Sequence, residues 1–133
     1  MTDWSLTLSA PAKINLYLGV HTERDDRGYH KVDSLMAAVG LVDTVTVTPA
    51  QALTVQTIPA SDFPMQKNTA YRAAAAMAEH YGREANVCIT IEKRIPLCAG
   101  LGGPSTDAAA DIVAMAESWG IDRADPALDN IAR

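Results

Sequence analysis

A glycine-rich segment is the part of the sequence whose residue types and spacing best suit chemistry. It runs PLCAGLGGPSTD over residues 96–107 and joins a predicted strand to a predicted helix. Gly100, Gly102 and Gly103 lack Cβ atoms, so the backbone there can approach a ligand closely or take a positive φ. The helix that follows presents free N–H groups and the positive end of its dipole. These features predict an anion site, and a phosphate group is its natural ligand.

The start of that helix carries residues that suit the same role, although a purely structural explanation also exists. Pro104 fits the first helical turn, where its missing N–H costs nothing, and Ser105 and Thr106 add hydroxyl groups. Most glycine-rich segments between a strand and a helix are tight turns, and a Ser or Thr there often caps the helix. The spacing matches neither a Walker A motif nor a dinucleotide fingerprint. A phosphate site and a plain turn are both open on this segment alone.

Two further segments carry side chains that could act on a ligand. Lys13 and Asn15 alternate with apolar residues in PAKINL, so a regular strand places both on one polar face. A solvated strand face is the simpler explanation when these residues are considered alone. Tyr29 and His30 follow Gly28 in a polar turn, where an exposed aromatic ring could stack on a planar ligand. Such residues more often decorate a loop without a functional role.

The remaining pattern predicts a domain that combines strands and helices. Alternating apolar residues and β-branched runs predict strands at residues 5–10, 14–21, 44–48, 53–55 and 87–92. Residues 31–40 fit either a strand or a helix, and the adjacent β-branched run at 44–48 favours a strand. Pro11 interrupts the first alternation, so residues 5–10 and 14–21 are predicted as separate strands. Apolar stripes at helical spacing predict helices at residues 70–81 and 109–119, with a short third helix within 122–133. This order favours an α+β or mixed α/β domain in which helices cover one sheet.

Composition and charge limit the class of protein. The 133 residues correspond to about one domain, with 48% apolar and 20% charged residues, as in an ordinary globular chain. The net charge of −5 lacks the basic excess typical of nucleic-acid binders, so we expect no nucleic-acid partner. Cys88 and Cys98 have neither a disulfide framework nor metal-ligand spacing. No stretch resembles a membrane helix or a signal peptide, so we expect a cytoplasmic protein without a membrane partner.

Three ordered segments resemble a known enzyme family. They are PAKINL at residues 11–16, DRGYH at 26–30 and IPLCAGLGGPSTDAAA at 95–110. The glycine-rich segment alone resembles the GHMP kinase superfamily. The Gly-Tyr-His segment after PAKINL narrows the resemblance to the 4-diphosphocytidyl-2-C-methyl-D-erythritol kinases. The match has the family's order and spacing and covers nearly the whole chain.

This resemblance implies a fold and a reaction. The fold is the N-terminal, ATP-binding domain of a GHMP kinase, an α+β domain of the ribosomal-protein-S5-domain-2-like type with a mixed sheet covered by helices. Residues 1–133 form that domain, and the C-terminal domain lies outside this sequence. The reaction transfers the ATP γ-phosphate to the 2-hydroxyl of a cytidine diphosphate derivative of methylerythritol, in the non-mevalonate route to isoprenoid precursors. ATP and Mg²⁺ are the implied cofactors, and the oligomeric state is left open.

The same resemblance assigns roles residue by residue. It implies that Lys13 is the catalytic lysine, that Asn15 lies near the substrate, and that Tyr29 and His30 hold the cytosine ring. The residues implied to bind ATP are Pro96, Leu97, Cys98, Ala99, Gly100, Leu101, Gly102, Gly103, Pro104, Ser105, Thr106 and Asn68. The Ser105 hydroxyl is a candidate to help hold Mg²⁺, which prefers oxygen ligands, and no protein cage around the metal is expected.

The sequence departs from the family pattern in two places. Cys98, Ala99 and Pro104 stand where family members commonly have glycine, and Thr106 replaces a serine. Pro104 removes one N–H from the predicted phosphate loop. The family's catalytic aspartate lies in a Gly-Ala-Asp-Val-Pro segment that this sequence does not contain. We therefore expect these 133 residues to behave as an inactive or nearly inactive N-terminal fragment of such a kinase.

Two other functions stay open at this point. One is a GHMP kinase that acts on a different alcohol, which the contribution of Tyr29 to binding would distinguish. The other is a non-catalytic module of the same fold, as found in ribosomal proteins. The acidic net charge and the nucleotide-type loop argue against this second alternative.

Overall fold

The chain forms strands and helices in the order that its apolar periodicity predicts, although four of the predicted strands merge into two. A computed structural model describes residues 4–61, 63–96 and 100–132. The elements are β1 (Leu6–Arg24), β2 (His30–Pro49), β3 (Thr54–Ile58), α1 (Thr69–Tyr81), β4 (Val87–Glu92), α2 (Gly103–Trp119) and α3 (Pro126–Ala132). A single turn of 3₁₀ helix at Met65–Lys67 precedes α1. Within the described ranges, no helix is long and apolar enough to cross a membrane.

The four strands form one mixed sheet in the order β1-β2-β4-β3. β1 pairs antiparallel with β2, and β2 pairs antiparallel with β4. β3 pairs parallel with β4, which requires a crossover connection, and α1 provides it. The prediction of an α+β domain with a mixed sheet covered by helices is therefore confirmed.

The core lies between one face of the sheet and the two long helices. Val45 and Val47 of β2 and Ile89 of β4 are fully buried, while the threonines that alternate with them face the other side of the sheet. Met77 of α1 and Met115 of α2 are also fully buried and belong to the same apolar cluster. Removing this apolar surface from water is the main force that holds the helices against the sheet.

The prediction of two separate strands around Pro11 is wrong. β1 continues from Leu6 to Arg24, and Pro11 pairs with Val42 inside it. β1 is the edge strand of the sheet, where a residue without an N–H is tolerated because one side of the strand has no strand partner. The register shifts between Pro11 and Lys13, so the irregularity that the proline signals is a bulge and not a break.

The distal parts of β1 and β2 form a hairpin whose side chains are exposed. The residues at its turn include Tyr29 and His30. Several apolar side chains along the hairpin are more than half exposed, including Leu16, Val20 and Leu35. The strand predicted at residues 31–40 is confirmed, but it is continuous with the one predicted at 44–48, and both belong to β2. The hairpin thus carries the predicted cytosine-binding pair outward from the sheet.

Asp111 is the least expected residue of the core. Its side chain is fully buried on α2, and neither carboxylate oxygen has a hydrogen-bond partner among the described residues. Burial raises the pKa of this carboxyl well above its ordinary value, because ionisation would place an unpaired charge away from water. The folded state therefore favours the protonated, neutral form of Asp111.

Replacing Asp111 by asparagine should give a pH-dependent gain in stability. The folded chain binds the Asp111 proton more tightly than the unfolded chain, so this residue lowers the free energy of unfolding as pH rises above about 3.9. The advantage of D111N should grow from about pH 4 by at most about 1.4 kcal/mol per pH unit, until the folded pKa is passed. Urea unfolding of both chains between pH 4 and pH 8 measures this difference.

The exposed carboxylate of Asp129 on α3 provides the control. Because this side chain is exposed, D129N should change the free energy of unfolding by less than about 0.5 kcal/mol. A pH-independent difference between D111N and the unaltered chain would contradict the burial of an unpaired carboxyl.

Candidate functional site

Lys13 of β1 lies against the glycine-rich loop. Its backbone N–H donates to the carbonyl oxygen of Leu101 at 2.9 Å, which ties the edge strand to the loop. Its side chain crosses Gly102: a Cβ atom at Gly102 would lie 3.1 Å from Cγ and 3.4 Å from Cε of Lys13. Gly102 also has φ 72°, a left-handed conformation that side chains rarely adopt. Both the backbone and the close approach of Lys13 therefore favour glycine at this position.

The loop ends at the N-terminus of α2. Gly102 is the N-cap residue and provides no side-chain cap, and α2 begins at Gly103 with Pro104 in its first turn. Ser105 is exposed and Thr106 is half-buried, and both lie inside the helix, so neither is the N-cap residue. The first-turn N–H groups and the positive end of the helix dipole are consequently directed at the loop. This geometry favours an anion site over a turn whose Ser or Thr merely caps the helix.

The N-terminus of α1 lies beside that of α2. Asn68 caps α1, because its side-chain oxygen accepts a hydrogen bond from the Ala70 N–H at 2.9 Å. The Thr69 hydroxyl donates to the carbonyl oxygen of Pro104 at 3.0 Å. This bond joins the first turns of the two helices, so it places Asn68 near the start of α2. Three segments predicted separately, around Lys13, Asn68 and the glycine-rich loop, therefore meet in one place.

A buried ionic cluster at the base of the loop was missed by the sequence analysis. Lys93, which follows β4, donates from Nζ to Asp43 Oδ2 at 2.7 Å and to Asp107 Oδ2 at 2.8 Å. The other Asp43 oxygen accepts the backbone N–H groups of Arg94 and Ile95 at 2.7 and 2.9 Å. Asp43 is fully buried and Asp107 is 2% exposed.

The signal for this cluster was present in the alternation of the sequence. Asp43, Val45 and Val47 are two residues apart along β2, so their side chains point to the same, buried face of the sheet. Asp107 lies one helical turn before Asp111, and both are on the buried face of α2. A charged residue at a core position is informative because it requires a partner.

The three members of the cluster shift one another's proton affinities. Burial is the largest cause that raises the pKa of Asp107 to about 7, and the neighbouring Asp43 adds to it while Lys93 opposes it. Burial alone would also raise the pKa of Asp43, but hydrogen bonds from Asp107, Ile95 and Lys93 outweigh it and hold the value below its usual range. Burial would lower the pKa of Lys93, yet the two carboxylates raise it, so Lys93 is charged at neutral pH.

Tyr29 and His30 form part of an ordered turn at the end of the hairpin. One Asp25 carboxylate oxygen accepts the backbone N–H groups of Arg27 and Tyr29 at 2.9 and 3.1 Å. The Arg27 guanidinium lies 5.3 Å from the centroid of the Tyr29 ring, and Tyr29 is 66% exposed. His30 Nδ1 lies 2.9 Å from the carbonyl oxygen of His21. A carbonyl oxygen only accepts, so this bond assigns the proton to Nδ1 and leaves Nε2 as the acceptor of the neutral ring.

The hairpin turn and the loop are not joined by these contacts. Residues 14–24 of β1 separate Lys13 from the turn, a chain length of at most about 36 Å for an extended strand. Register shifts after Asn15 and after Val20 bend this strand. Asn15 is exposed, and the regular pairing of residues 13–15 with 36–38 puts it on the same face as Lys13.

For the remaining residues that are predicted to bind ATP, the structure gives fewer contacts. Pro96 and Gly100 are exposed on either side of the middle of the loop. Leu97, Cys98 and Ala99, which were predicted to bind ATP, lie outside the described residues. Within the described part of the chain, no group of three or more His, Cys, Asp or Glu side chains is arranged to hold a metal ion.

The chain is similar to a named group of enzymes along almost its whole length. The family model "GHMP kinases N terminal domain" matches residues 68–133. The 4-diphosphocytidyl-2-C-methyl-D-erythritol kinase of Mycolicibacterium smegmatis is 46% identical over 130 residues, which are 94% of this chain and 40% of that enzyme. The enzyme of the same name from Mycobacterium tuberculosis is 45% identical over 118 residues, 86% of this chain and 37% of that enzyme. The chain thus spans about 40% of the length of the curated relatives it matches.

Solved structures give the same assignment. A crystal structure of 4-(cytidine 5'-diphospho)-2C-methyl-D-erythritol kinase matches with a TM-score of 0.79 and 36% identity, over 96% of this chain and 46% of that one. A mevalonate kinase matches with a TM-score of 0.68 at 14% identity, over 96% of this chain and 45% of that one, and it shares the fold alone. The matching family model and these relatives agree with the geometry of the site, where Lys13 lies against the loop and two helices start side by side. The chain therefore belongs to the GHMP kinase family and carries the N-terminal domain of that family.

Proposed function

We propose that the protein is a kinase that transfers the γ-phosphate of ATP to the 2-hydroxyl of 4-diphosphocytidyl-2-C-methyl-D-erythritol. The observation that carries the proposal is the position of Lys13, whose side chain crosses Gly102 at the start of α2. A cation next to a helix N-terminus suits a site that binds and stabilises phosphoryl groups. The names of the relatives supply the substrate, and Tyr29 and His30 supply residues suited to it.

ATP would bind where the two helices start. The N–H groups at the beginning of α2 suit its phosphates. The missing Cβ atom of Gly102 lets the Lys13 side chain lie against the backbone at this place. Asn68, placed near the loop by the bond between Thr69 and Pro104, suits the adenosine part. Mg²⁺ fits as an ion held mainly by phosphate oxygens, with the exposed Ser105 hydroxyl as the one protein ligand we propose. The bound ion would neutralise phosphate charge.

Lys13 would act on the phosphoryl group during transfer. Phosphoryl transfer depends mainly on positioning and on stabilising charge on the transferred oxygens. Lys13 makes no ion pair within the described residues, whereas Lys93 is bound to two carboxylates, so of these two lysines Lys13 is the one available to an anionic ligand. Its ammonium group is a compact point charge suited to a phosphoryl oxygen. The family resemblance implies that the base for the acceptor hydroxyl belongs to a segment not contained in these 133 residues.

The hairpin turn would recognise the cytosine of the acceptor. The Tyr29 ring offers a face for stacking, and Arg27 lies against the ring at 5.3 Å. His30 presents Nε2 as an acceptor, which suits the exocyclic amino group of cytosine. Asn15, on the same strand face as Lys13, lies between the turn and the phosphate site along β1. An extended acceptor that contacts all three would direct its hydroxyl toward Lys13.

A coupled ADP-release assay on the natural full-length protein tests the proposed reaction. With ATP and Mg²⁺, we expect turnover of 4-diphosphocytidyl-2-C-methyl-D-erythritol and none of mevalonate or homoserine, which are alcohols of other kinases with this fold. The 133-residue chain alone should be slower by about 10²–10⁴-fold, because the proposed base is absent from it. Turnover of a different alcohol and not of the cytidyl substrate would overturn the assignment.

A Gly102→Ala variant should lose activity by displacing Lys13. The new methyl group would lie 3.1 Å from Lys13 Cγ, so the lysine side chain must move by a few tenths of an ångström. A shift of about 1 Å in a reacting group can cost about 10²-fold in rate, so we expect this smaller shift to lower kcat/KM by about tenfold, as measured in the ADP-release assay of the full-length protein.

Gly120→Ala is the matched control for this change. Gly120 has a similar φ of 70°, but its Cβ would meet nothing within 4 Å, and it lies at the other end of α2. Both variants should lose about 1 kcal/mol of stability from the left-handed backbone. Equal losses of kcat/KM in the two would show that backbone strain, and not Lys13, accounts for the effect.

Tyr29→Ala should weaken binding of the cytidyl substrate and leave ATP unaffected. Stacking of a base on an aromatic ring contributes about 1–3 kcal/mol, so KM for the cytidyl substrate should rise by about 5- to 150-fold. Tyr29→Phe keeps the ring and should stay close to the unaltered enzyme. Steady-state kinetics with each substrate varied in turn makes the measurement, and an unchanged KM for the cytidyl substrate in Tyr29→Ala would refute the cytosine-binding role.

A further inference from the structure

The ionic cluster formed by Lys93, Asp43 and Asp107 holds the two ends of the glycine-rich loop. At the entry to the loop, Asp43 accepts the N–H groups of Arg94 and Ile95. At its exit, Asp107 in the first turns of α2 accepts a hydrogen bond from Lys93 Nζ. Lys93 Nζ also bonds to Asp43, so one ammonium group connects entry and exit.

The two ends of the loop are also in direct contact. A Cβ atom at Gly103 would lie 3.2 Å from Ile95 Cγ2 and 3.4 Å from Lys93 Nζ. Ile95, before the loop, and Gly103, after it, therefore lie as close together as the missing Cβ atom of the glycine allows. The backbone N–H of Lys93 is fixed as well, since it donates to the carbonyl oxygen of Ile58 at the end of β3.

General stability does not explain why an ionic cluster occupies this place. A buried ion pair gains little over a well-packed apolar group, because the charges must leave water. The rest of the core is apolar, with fully buried residues such as Met77, Ile89 and Met115. What the cluster adds is a set of short, directional bonds, which fix geometry better than apolar packing does.

We propose that Lys93 is a positioning residue. By bridging Asp43 and Asp107, it fixes the relative position of the two ends of the glycine-rich loop and thereby sets the affinity of the protein for the phosphates of its nucleotide. Both strong acceptors of Lys93 are carboxylates of the cluster, and its side chain is 17% exposed. It therefore acts through the loop and α2, in contrast to Lys13, which faces the ligand. This inference rests on the proposed function, in which the loop binds ATP.

The test compares nucleotides with and without phosphates on the natural full-length protein. Dissociation constants are measured by calorimetry for the Mg²⁺ complex of AMPPNP, a non-hydrolysable ATP analogue, and for adenosine. In Lys93→Met, which keeps the length of the side chain but not its charge, AMPPNP affinity should fall about tenfold or more while adenosine affinity stays within about twofold. A role in stability alone would leave the ratio of the two affinities unchanged.

Two further variants make the test independent of whether Lys93→Met folds. Asp107→Asn keeps the shape of the side chain and an acceptor oxygen, and it should lower the AMPPNP affinity in the same direction but by less. Arg94→Met is the control, since the Arg94 side chain bonds only to Thr44 and Glu92 on the surface in the described structure. It should leave both affinities unchanged.

The outcomes separate this inference from the function on which it rests. Unaltered affinity ratios in both Lys93→Met and Asp107→Asn, with AMPPNP bound normally by the unaltered protein, would overturn the positioning role and leave the kinase assignment intact. Failure of the unaltered protein to bind AMPPNP would overturn both.

Discussion

The approach of Lys13 to Gly102 is the constraint on which the candidate site depends. β1 is the edge strand, so the outward side of its backbone has no strand partner, and at Lys13 the loop uses that free donor through the Leu101 carbonyl. The same contact lays the lysine side chain across a glycine whose left-handed φ no other residue would adopt easily. Sheet edge, loop and helix start are thereby held in a single arrangement, with a positive charge next to a helix N-terminus.

The protein separates two tasks between its lysines near the loop. The chain carries a net charge of −5, yet the proposed ligands are anions, so positive potential must be local. Lys93 does not provide it, because Asp43 and Asp107 surround its ammonium group and the cluster as a whole is not positive. Lys13 and the helix N-terminus can provide it. Structural charge thus lies inside the core, and the charge that we propose binds the ligand lies beside the loop.

Much of the architecture could be predicted because it follows from local periodicity. The apolar stripe that forms α1 and the alternation in β2 and β4 are properties of neighbouring residues. So are Gly82 and Gly120, which end α1 and α2 in the left-handed conformation. Pro11 was misinterpreted because its effect depends on whether a strand lies at the edge of the sheet, which is a tertiary property. The Lys93 cluster was missed for the same reason: Lys93 is 50 residues from Asp43 and 14 from Asp107, and the three residues meet only through the fold. The roles of Tyr29 and His30 came from the family resemblance, and they stay a prediction since the structure places both at the end of the hairpin.

A crystal structure of the natural full-length protein with AMPPNP and Mg²⁺ tests the central claim most directly. The account predicts that the phosphates lie at the start of α2, with the γ-phosphate within about 3 Å of Lys13 Nζ, the length of a charge-assisted hydrogen bond. A nucleotide whose phosphates lie away from Gly102 and Lys13, or whose γ-phosphate contacts Lys93 in place of Lys13, would contradict it.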